Sequence, residues 1–164
     1  MKTSVSPDFE CCPRFNPKPW DDVVLEWNDK QFVKASVCTI AFMPLNFGMV
    51  IRKLFKAIEK AGATAQDYLC LSDHTSKWNM DIYIAVDKSV PGVENKLLSG
   101  TFYSRVYEGP FRDTDKWCRD FQAKAAEKEL HVDKWYMWYT TCPKCAKKYG
   151  ENYVAVIAKV DRKD

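Results

Sequence analysis

A sequence pattern that begins at residue 36 recurs at residue 102, 66 positions further on. This repeat constrains the fold more than any other feature of the chain. Residues 36–44 precede one amphipathic segment, and residues 102–110 precede another. Short alternating apolar runs then follow at 83–86 and 153–156. Because two copies are too few for a solenoid, the repeat predicts a closed pseudo-twofold body with a ligand groove where the halves meet.

Hydrophobic periodicity predicts two helices, one in each half. Apolar residues recur at three- and four-residue spacing over residues 45–61, and Gly62 is suited to end that helix. The second helix is predicted over residues 115–130, with Trp117 and Phe121 on its apolar side.

The strands complete the predicted architecture. Turn-forming residues at 28–30 separate two β-prone runs and predict a hairpin. The sequence therefore predicts an α+β fold of two fused β-α-β-β modules, with antiparallel sheets, helices on one face and a groove on the other. We expect an N-terminal arm at 1–22, a first module at 23–92 and a second module at 93–164, all within one compact domain.

Charge and hydropathy argue against a nucleic-acid or membrane partner. The formal net charge is only +3, and basic and acidic residues are interleaved along residues 116–134, as on a solvated helix face. The sequence has no apolar run of about 18 residues and no signal-peptide core, so we expect a cytoplasmic protein. Seven cysteines, an odd number, also favour a reducing compartment. We expect a monomer or a homodimer.

Four cysteines on two turns predict a structural zinc site. Cys11 and Cys12 lie in a proline-rich lead-in, and Cys142 and Cys145 form a C-x-x-C motif within a loop predicted at 142–150. Thiolates on rigid turns are common zinc ligands. Zinc at this site would attach the N-terminal arm to the loop before the last strand.

Other readings of these cysteines stay open. One thiol of the adjacent pair can be a spectator, with water, His74 or His131 as the fourth ligand. The C-x-x-C motif can instead be a redox dithiol, which we disfavour because residues 146–150 are too short for the helix that a thioredoxin-like motif opens. The thiols can also be unpaired. No organic cofactor is expected.

Strand alternation predicts an aromatic face opposite the helices, with Phe102 and Val106 turned toward the helices instead. The small residues Ala85 and Ala155, at equivalent places in the two halves, would leave room there for a ligand. The predicted ligand-binding residues are Trp78, Tyr83, Tyr103, Arg105, Tyr107, Trp135, Trp138 and Tyr153. Aromatic walls with one or two acids suit a flat, apolar and cationic molecule. The alternative is that these tyrosines cover a solvent-facing sheet surface.

Asp81 and Glu108 are the predicted catalytic residues. Both lie on strands that carry the aromatic face, and partial burial would raise the pKa of either carboxyl group. A carboxyl group with a raised pKa can act as a general acid or base. The alternative is that both are ordinary surface charges.

The chain resembles the GyrI-like small-molecule-binding family, in which two SHS2-type modules are fused. The resemblance is carried by Gly-Thr-Phe-Tyr-Ser-Arg-Val-Tyr-Glu-Gly-Pro-Phe at 100–111 and by Asp-Ile-Tyr-Ile-Ala-Val at 81–86. More specifically, the chain is similar to the branch labelled "hydrolase". That likeness rests on Cys-Cys-Pro-Arg-Phe-Asn-Pro at 11–17 and Thr-Cys-Pro-Lys-Cys-Ala-Lys-Lys-Tyr-Gly at 141–150.

The resemblance implies a groove at the pseudo-twofold axis that binds planar, hydrophobic and often cationic compounds. Some relatives are multidrug-sensing domains of transcription factors, and others hydrolyse cyclopropane-bearing genotoxins with acids and aromatics in the groove. Three hypotheses follow for this chain. It is a detoxifying hydrolase, a non-catalytic sensor or sequestering protein, or a zinc-stapled module that contacts another protein.

Overall fold

The structure is a computed structural model that describes residues 14–41, 43–141 and 143–162. Its elements are, in chain order, β1 Val23–Ile40, β2 Met43–Pro44, α1 Phe47–Lys60, β3 Ala65–Ser76, β4 Asn79–Val86, β5 Glu94–Glu108, α2 Thr114–Glu127, β6 Leu130–Tyr139, α3 Pro143–Tyr149 and β7 Tyr153–Arg162. A short 3-10 turn at Phe111–Asp113 leads into α2.

Six of the described strands pair in a closed antiparallel ring. β1 pairs with β4, β4 with β3, β3 with β6, β6 with β7, β7 with β5, and β5 again with β1. The two-residue β2 pairs antiparallel with the last two residues of β1. The predicted α+β class with an antiparallel sheet is therefore confirmed.

β1 is one continuous strand, so the hairpin predicted around residues 28–30 is wrong. β1 pairs with β5 on both sides of that stretch, with a register shift between Trp27 and Lys30. Asp29 adopts a φ of 50° there, and its N–H donates a hydrogen bond to Ser99 Oγ at 2.8 Å. The turn-forming residues therefore make a β-bulge within a long strand instead of a reversal of the chain.

Helix α1 packs on the outer face of the first half of the ring, as its periodicity predicts. Leu54 and Ile58 are buried against Val33 of β1 and the apolar residues of β4. The chain leaves the helix through Gly62 at a φ of 67°, a left-handed conformation that glycine adopts without strain.

Helix α2 covers the outer face of the second half. Trp117, Phe121 and Ala125 are buried on it and pack against Val154 and Val156 of β7. Both long helices therefore lie outside the ring, and the face without helices is turned inward.

The inward face is packed with side chains from all six strands of the ring. This interior cluster consists of Phe32, Leu69, Leu71, Tyr83, Ala85, Phe102, Tyr136, Trp138, Ala155 and Ile157. Small barrels are filled in this way by their inward-facing residues. The face that the sequence assigns to a groove is therefore a closed aromatic core, and Ala85 and Ala155 are buried within it.

Helix α3 stands where the sequence predicts a loop at 142–150. It spans Pro143–Tyr149, directly after β6. Proline suits the first turn of a helix, and Lys147 and Lys148 in the last turn suit the negative end of the helix dipole. The argument against a redox dithiol, that this stretch is too short for a helix, is therefore wrong.

Candidate functional site

Two aspartates face each other across the β3–β4 ladder at one end of the ring. Asp73 is the direct partner of Asp81 in this antiparallel pair, so their side chains lie on the same face, with Cβ atoms about 5 Å apart. The side chains are only 14% and 13% exposed, respectively. Two carboxylates at this separation repel each other unless cations neutralise them.

Each aspartate has its own lysine. Lys34 Nζ lies 3.7 Å from Asp81 Oδ2, and Lys134 Nζ lies 3.1 Å from Asp73 Oδ2. Lys34 also lies 3.9 Å from the exposed Glu94. We call the four residues Lys34, Asp73, Asp81 and Lys134 the acid–lysine cluster. Its two charge pairs come from β1, β3, β4 and β6, so the cluster exists only when these four neighbouring strands are paired.

Asp81 is held in its ionised form. Burial alone would raise the pKa of Asp81, but hydrogen bonds from Asn79 Nδ2 at 3.1 Å and Ser36 Oγ at 2.8 Å, together with Lys34, outweigh it. The pKa of Asp81 is therefore lowered from its ordinary value, whereas the sequence predicts a raised one. The sequence does not reveal the donors, because Ser36 is brought to Asp81 only by the β1–β4 register.

Two buried tyrosines lie next to the acid–lysine cluster. Tyr83 and Tyr136 form an edge-on pair with ring centroids 5.9 Å apart. Lys34 Nζ lies 5.7 Å from the centroid of the Tyr83 ring, and Lys134 Nζ lies 5.4 Å from that of Tyr136. Burial raises the pKa of both phenols. Both are therefore neutral hydroxyl groups at neutral pH and can donate a proton or a hydrogen bond.

This arrangement supplies both a proton acceptor and proton donors for acid–base catalysis. An ionised carboxylate accepts a proton, and ammonium and phenol groups next to it donate one. The aromatic residues of the interior cluster begin directly behind the charged groups, since Tyr83 and Tyr136 belong to the interior cluster and contact Lys34 and Lys134. An apolar molecule with one reactive polar group fits these two environments.

Four of the predicted ligand-binding residues lie on the outer face, against α2. Tyr103 is buried in the α2 cluster with Trp135 and Tyr107 at its edge, and Arg105 shares their face of β5. The prediction that they share a face with Tyr83 is therefore wrong. Apolar residues occupy both sides of β5, because one side meets the ring interior and the other meets α2, so alternation alone does not identify the sides.

Arg105 is the centre of a network that holds the N-terminal segment and α2 to β5. Tyr103 donates a hydrogen bond to Asp22 Oδ1 at 2.6 Å, and Tyr107 donates one to Asp120 Oδ2 at 2.7 Å. Arg105 lies 3.3 Å from Asp22 and 3.5 Å from Asp120. Burial, reinforced by the bond to Asp22, raises the pKa of Tyr103 to about 12.

The other predicted site residues are spread along the ring. Trp138 lies in the interior cluster with Tyr83, and Tyr153 lies at the far end of β7, with its ring 5.8 Å from Phe15. Trp78 is 65% exposed at the tip of the β3–β4 hairpin.

Glu108 is not brought near Asp81. It is exposed and pairs with Tyr153 on β7, whereas Lys134 of the acid–lysine cluster pairs with Lys159 on the same strand. Positions 153 and 159 are about 20 Å apart along an extended strand. The two predicted catalytic acids therefore belong to opposite ends of the ring.

The predicted zinc ligands Cys11, Cys12 and Cys142 lie outside the described residues, and Cys145 is buried in α3. Within residues 14–41, 43–141 and 143–162, no group of three or more histidine, cysteine, aspartate or glutamate side chains is placed to hold a metal.

The N-terminal segment closes the end of the ring that lies away from the acid–lysine cluster. Residues 14–20, which we call the aromatic strap, place Phe15 and Trp20 edge-on against Trp138, at 5.1 and 4.9 Å between ring centroids. Arg14 lies over the ring of Tyr149 at 4.3 Å. A depression of about 260 Å³ lies between the strap and β3.

β3 bulges where it faces the strap. From the pair Ala65–Val86 to the pair Cys70–Ile84, β3 advances five residues while β4 advances two. Asp67 and Tyr68 lie in this bulge, with φ angles of 55° and 50°. Such angles cost about 1–3 kcal/mol per non-glycine residue.

Sequence reasoning missed Asp73, Lys34 and Lys134. The sequence predicts a polar loop at 72–79, although β3 continues to Ser76. Residues 72–76 are all polar, so the sequence has no apolar–polar alternation there to signal that the strand continues past Leu71.

The fold and site define an α+β protein with the general GyrI-like fold that the resemblance implies. The sequence matches the family described as Bacterial hydrolase over residues 1–160, and the chain belongs to that family. No curated protein matches the sequence.

Solved structures share the fold at low identity. The C-terminal domain of EcmrR aligns with a TM-score of 0.66 and 11% identity over 88% of this chain and 99% of that one. A hydrolase from Listeria innocua aligns with a TM-score of 0.62 and 11% identity over 86% of this chain and 92% of that one. At this identity the likeness concerns the fold alone.

A third structure is relevant to the prediction that the chain does not bind nucleic acid. It is an EcmrR–DNA complex, with a TM-score of 0.61 and 11% identity over 88% of this chain and 58% of that one. The absence of nucleic-acid binding therefore stays a prediction for this chain. No helix among the described residues is long and apolar enough to cross a membrane.

Proposed function

We propose that the chain binds a planar hydrophobic small molecule, cationic ones included, and hydrolyses it at the acid–lysine cluster. The observation that carries the proposal is the Asp73–Asp81 pair, with a lysine on each carboxylate and the neutral phenols of Tyr83 and Tyr136 beside it. Membership of the Bacterial hydrolase family supports a hydrolytic reaction.

The proposed step uses Asp81 as the base. Its carboxylate takes a proton from water while the water oxygen bonds to an electrophilic carbon of the substrate. The bond from that carbon to its leaving atom breaks, and the electron pair stays on the leaving atom. Tyr83 or Lys34 then gives that atom a proton. Ser36 and Asn79 fix the carboxylate by their hydrogen bonds.

Entry of a ligand into the interior requires side chains to move. Neither the depression of about 260 Å³ beside the strap nor one of about 210 Å³ near Leu130 contains a residue of the acid–lysine cluster. We propose that the ligand's apolar part displaces the edge-on pair of Tyr83 and Tyr136 and stacks on the interior aromatics.

A panel of planar electrophiles, comprising aryl esters, aryl epoxides and cyclopropyl ketones with and without a cationic group, tests the proposal. Each compound is incubated with the protein and followed by mass spectrometry. Water addition that Asp81→Asn abolishes and the exposed Asp133→Asn keeps supports hydrolysis. Turnover that survives both Asp81→Asn and Asp73→Asn overturns it.

Non-catalytic binding is the second candidate, and one observation favours it. Both carboxylates already have a lysine partner within 4 Å, so each must give up an ion pair before it can act as a base. A sensor or sequestering protein needs no free base. In the same panel, saturable quenching of tryptophan fluorescence without any change of ligand mass identifies this function.

We also propose that residues 23–92 and 93–164 are two fused SHS2-type modules. In the first half the strand order is β1, β4, β3, and in the second it is β5, β7, β6, so each half places its last strand between the other two. The halves meet through β1 with β5 and β3 with β6, which are equivalent strands. This equivalence supports a pseudo-twofold relation.

Zinc bound by Cys11, Cys12, Cys142 and Cys145 remains a proposal. Its support is indirect, because the described contacts of the strap bring Arg14 against Tyr149 at the end of α3. The zinc-stapled interaction module, the monomeric or homodimeric state and the cytoplasmic location likewise remain proposals.

A further inference from the structure

We infer that one end of the first half of the ring docks onto the surface of an anionic lipid bilayer. The inference does not rest on the proposed hydrolysis. The docking surface has two parts, which we call the apolar tip and the basic row. The apolar tip consists of the exposed residues Ile40, Leu45, Met49 and Trp78, and the basic row consists of the exposed residues Arg52, Lys53, Lys56 and Lys77.

Backbone hydrogen bonds bring the apolar tip together from separate parts of the chain. Thr39 N–H donates a hydrogen bond to the carbonyl oxygen of Trp78 at 3.0 Å, so Ile40 lies beside the tip of the β3–β4 hairpin. Leu45 N–H donates one to the carbonyl oxygen of Cys38 at 2.9 Å. This second bond places the start of α1 at the same end of β1 as the hairpin.

The apolar tip is open to solvent. Each of its four side chains is more than half exposed. Met49 lies in the first turn of α1, on the face turned away from the buried Leu54. Single exposed apolar residues are ordinary, but a group of them at one place marks a contact surface. Trp78 is suited to a bilayer in particular, because tryptophan favours the boundary between lipid and water.

The basic row supplies the charge that attracts an anionic surface. Arg52, Lys53 and Lys56 follow the apolar tip along the exposed side of α1. Lys77 precedes the tryptophan of the apolar tip in the same hairpin, and its carbonyl oxygen accepts a hydrogen bond from Thr39 Oγ1 at 2.8 Å. Helix α1 contains four basic residues and one acid, and that acid lies in the last turn, away from the apolar tip.

The charges of the basic row are not neutralised within the chain. Among residues 14–41, 43–141 and 143–162, no acidic side chain lies within 4 Å of a basic-row nitrogen. The sequence predicts no membrane partner because the formal net charge of the whole chain is only +3. The fold concentrates basic residues beside the apolar tip, and attraction to anionic lipid depends on this local concentration.

A protein partner fits the docking surface less well than a bilayer does. A stable protein interface buries about 800 Å² and about 20–30 residues on each side, whereas the apolar tip has four side chains. In a twofold pair of copies, the same surface meets itself, so the two basic rows would repel each other. A bilayer accepts a few apolar side chains at the headgroup boundary while basic side chains contact the lipid phosphates.

Flotation of the full chain with lipid vesicles tests the inference. One set of vesicles is pure phosphatidylcholine, and the other contains about one quarter phosphatidylserine. We expect binding to the anionic vesicles and little binding to the neutral ones. We also expect this binding to weaken as salt is added, because salt screens the attraction. Equal binding to both sets, or binding to neither, overturns the inference.

Paired charge variants locate the surface that binds. Lys53→Gln together with Lys56→Gln should weaken binding to the anionic vesicles about tenfold or more, since each basic residue near the lipid contributes about fivefold. Lys116→Gln together with Arg119→Gln is the matched control, because it removes the same charge from exposed positions of α2 and should keep most of the binding. Equal weakening by the two pairs overturns the inference.

A variant of the apolar tip tests insertion. Trp78→Ala should weaken vesicle binding about tenfold through the lost apolar contact with lipid. Met49→Gln, also on an exposed side chain, should act in the same direction and serves if Trp78→Ala alters the fold. Two results overturn the inference in favour of another partner. One is a dimer that forms without lipid and that Trp78→Ala abolishes, and the other is duplex DNA that binds through Lys53 and Lys56 while vesicles do not bind.

Discussion

Asp73 and Asp81 lie directly opposite each other in the β3–β4 ladder, and each is neutralised by a lysine from a different strand. Like charges in a cross-strand pair are destabilising, so a sheet that only needed to be stable has no reason to place them there. The pair is therefore the feature of the ring that sheet stability explains least, and we attribute it to function.

The first prediction concerns the pH dependence of stability. The pKa of Asp81 lies below its ordinary value of 3.8, so the unfolded chain binds this proton more tightly than the folded chain. Asp81 therefore stabilises the fold above pH 3.8, and the stabilisation is lost as the pH falls through the folded-state pKa. We expect Asp81→Asn to cost about 1–3 kcal/mol at pH 7 through its charged hydrogen bonds.

Urea unfolding at several pH values measures this effect. The difference in unfolding free energy between wild type and Asp81→Asn should shrink below about pH 4. Asp133→Asn, on an exposed side chain, is the matched control and should show no such difference. A constant difference from pH 7 to pH 2 would contradict the assignment of a lowered pKa.

The second prediction separates a structural role from ligand binding. Tyr103→Phe removes the hydrogen bond to Asp22 and leaves the buried ring in place. We expect a loss of about 1 kcal/mol, at the low end for a charged hydrogen bond because Asp22 is about half exposed. Ligand affinity should stay the same. A variant with wild-type stability but weaker ligand binding would instead indicate that Tyr103 belongs to the binding site.

The third prediction concerns thiol reactivity. Burial raises the pKa of Cys70 to about 12, so this thiol is almost entirely protonated at pH 8. Cys38 is exposed in the same fold. Iodoacetamide followed by peptide mass mapping should label Cys38 rapidly and Cys70 much more slowly, because thiolates are the reacting species. Equal labelling of the two in the folded protein would argue against the ring as described.

The sequence predicts the two long helices and the antiparallel class well because these depend on local patterns. Leu54 and Ile58 recur at the spacing of a one-sided helix, and both are buried. The residues at 28–30 have the composition of a turn, yet Ser99 of β5 stabilises them as a bulge, and a partner 70 positions away is invisible to a local pattern.

The candidate site depends on pairing, which is why much of it was missed. Tyr103 and Phe102 are both buried, so alternation on β5 has no polar side from which to tell the faces apart. Asp73 and Lys134 are ordinary charges in the sequence. Only the pairing of the strands places Asp73 opposite Asp81 and Lys134 beside Asp73.

The fourth prediction addresses zinc. If the four cysteines bind zinc, purified protein should contain about one equivalent of zinc by elemental analysis, as a single four-thiolate site requires. Cys145→Ser should lower both the zinc content and the melting temperature, whereas Cys38→Ser, on an exposed thiol, should change neither. The zinc proposal is contradicted if the purified protein contains no zinc and chelation leaves its melting temperature unchanged.

The measurement that tests the central claim most directly is single-turnover mass spectrometry of a substrate from the electrophile panel with wild type, Asp81→Asn and Asp133→Asn. We predict product with wild type and Asp133→Asn, and bound but unchanged substrate with Asp81→Asn. Equal product formation by all three proteins would contradict a catalytic role for the acid–lysine cluster. Unchanged substrate with all three, despite saturable binding, would leave the chain as a binding protein and contradict hydrolysis.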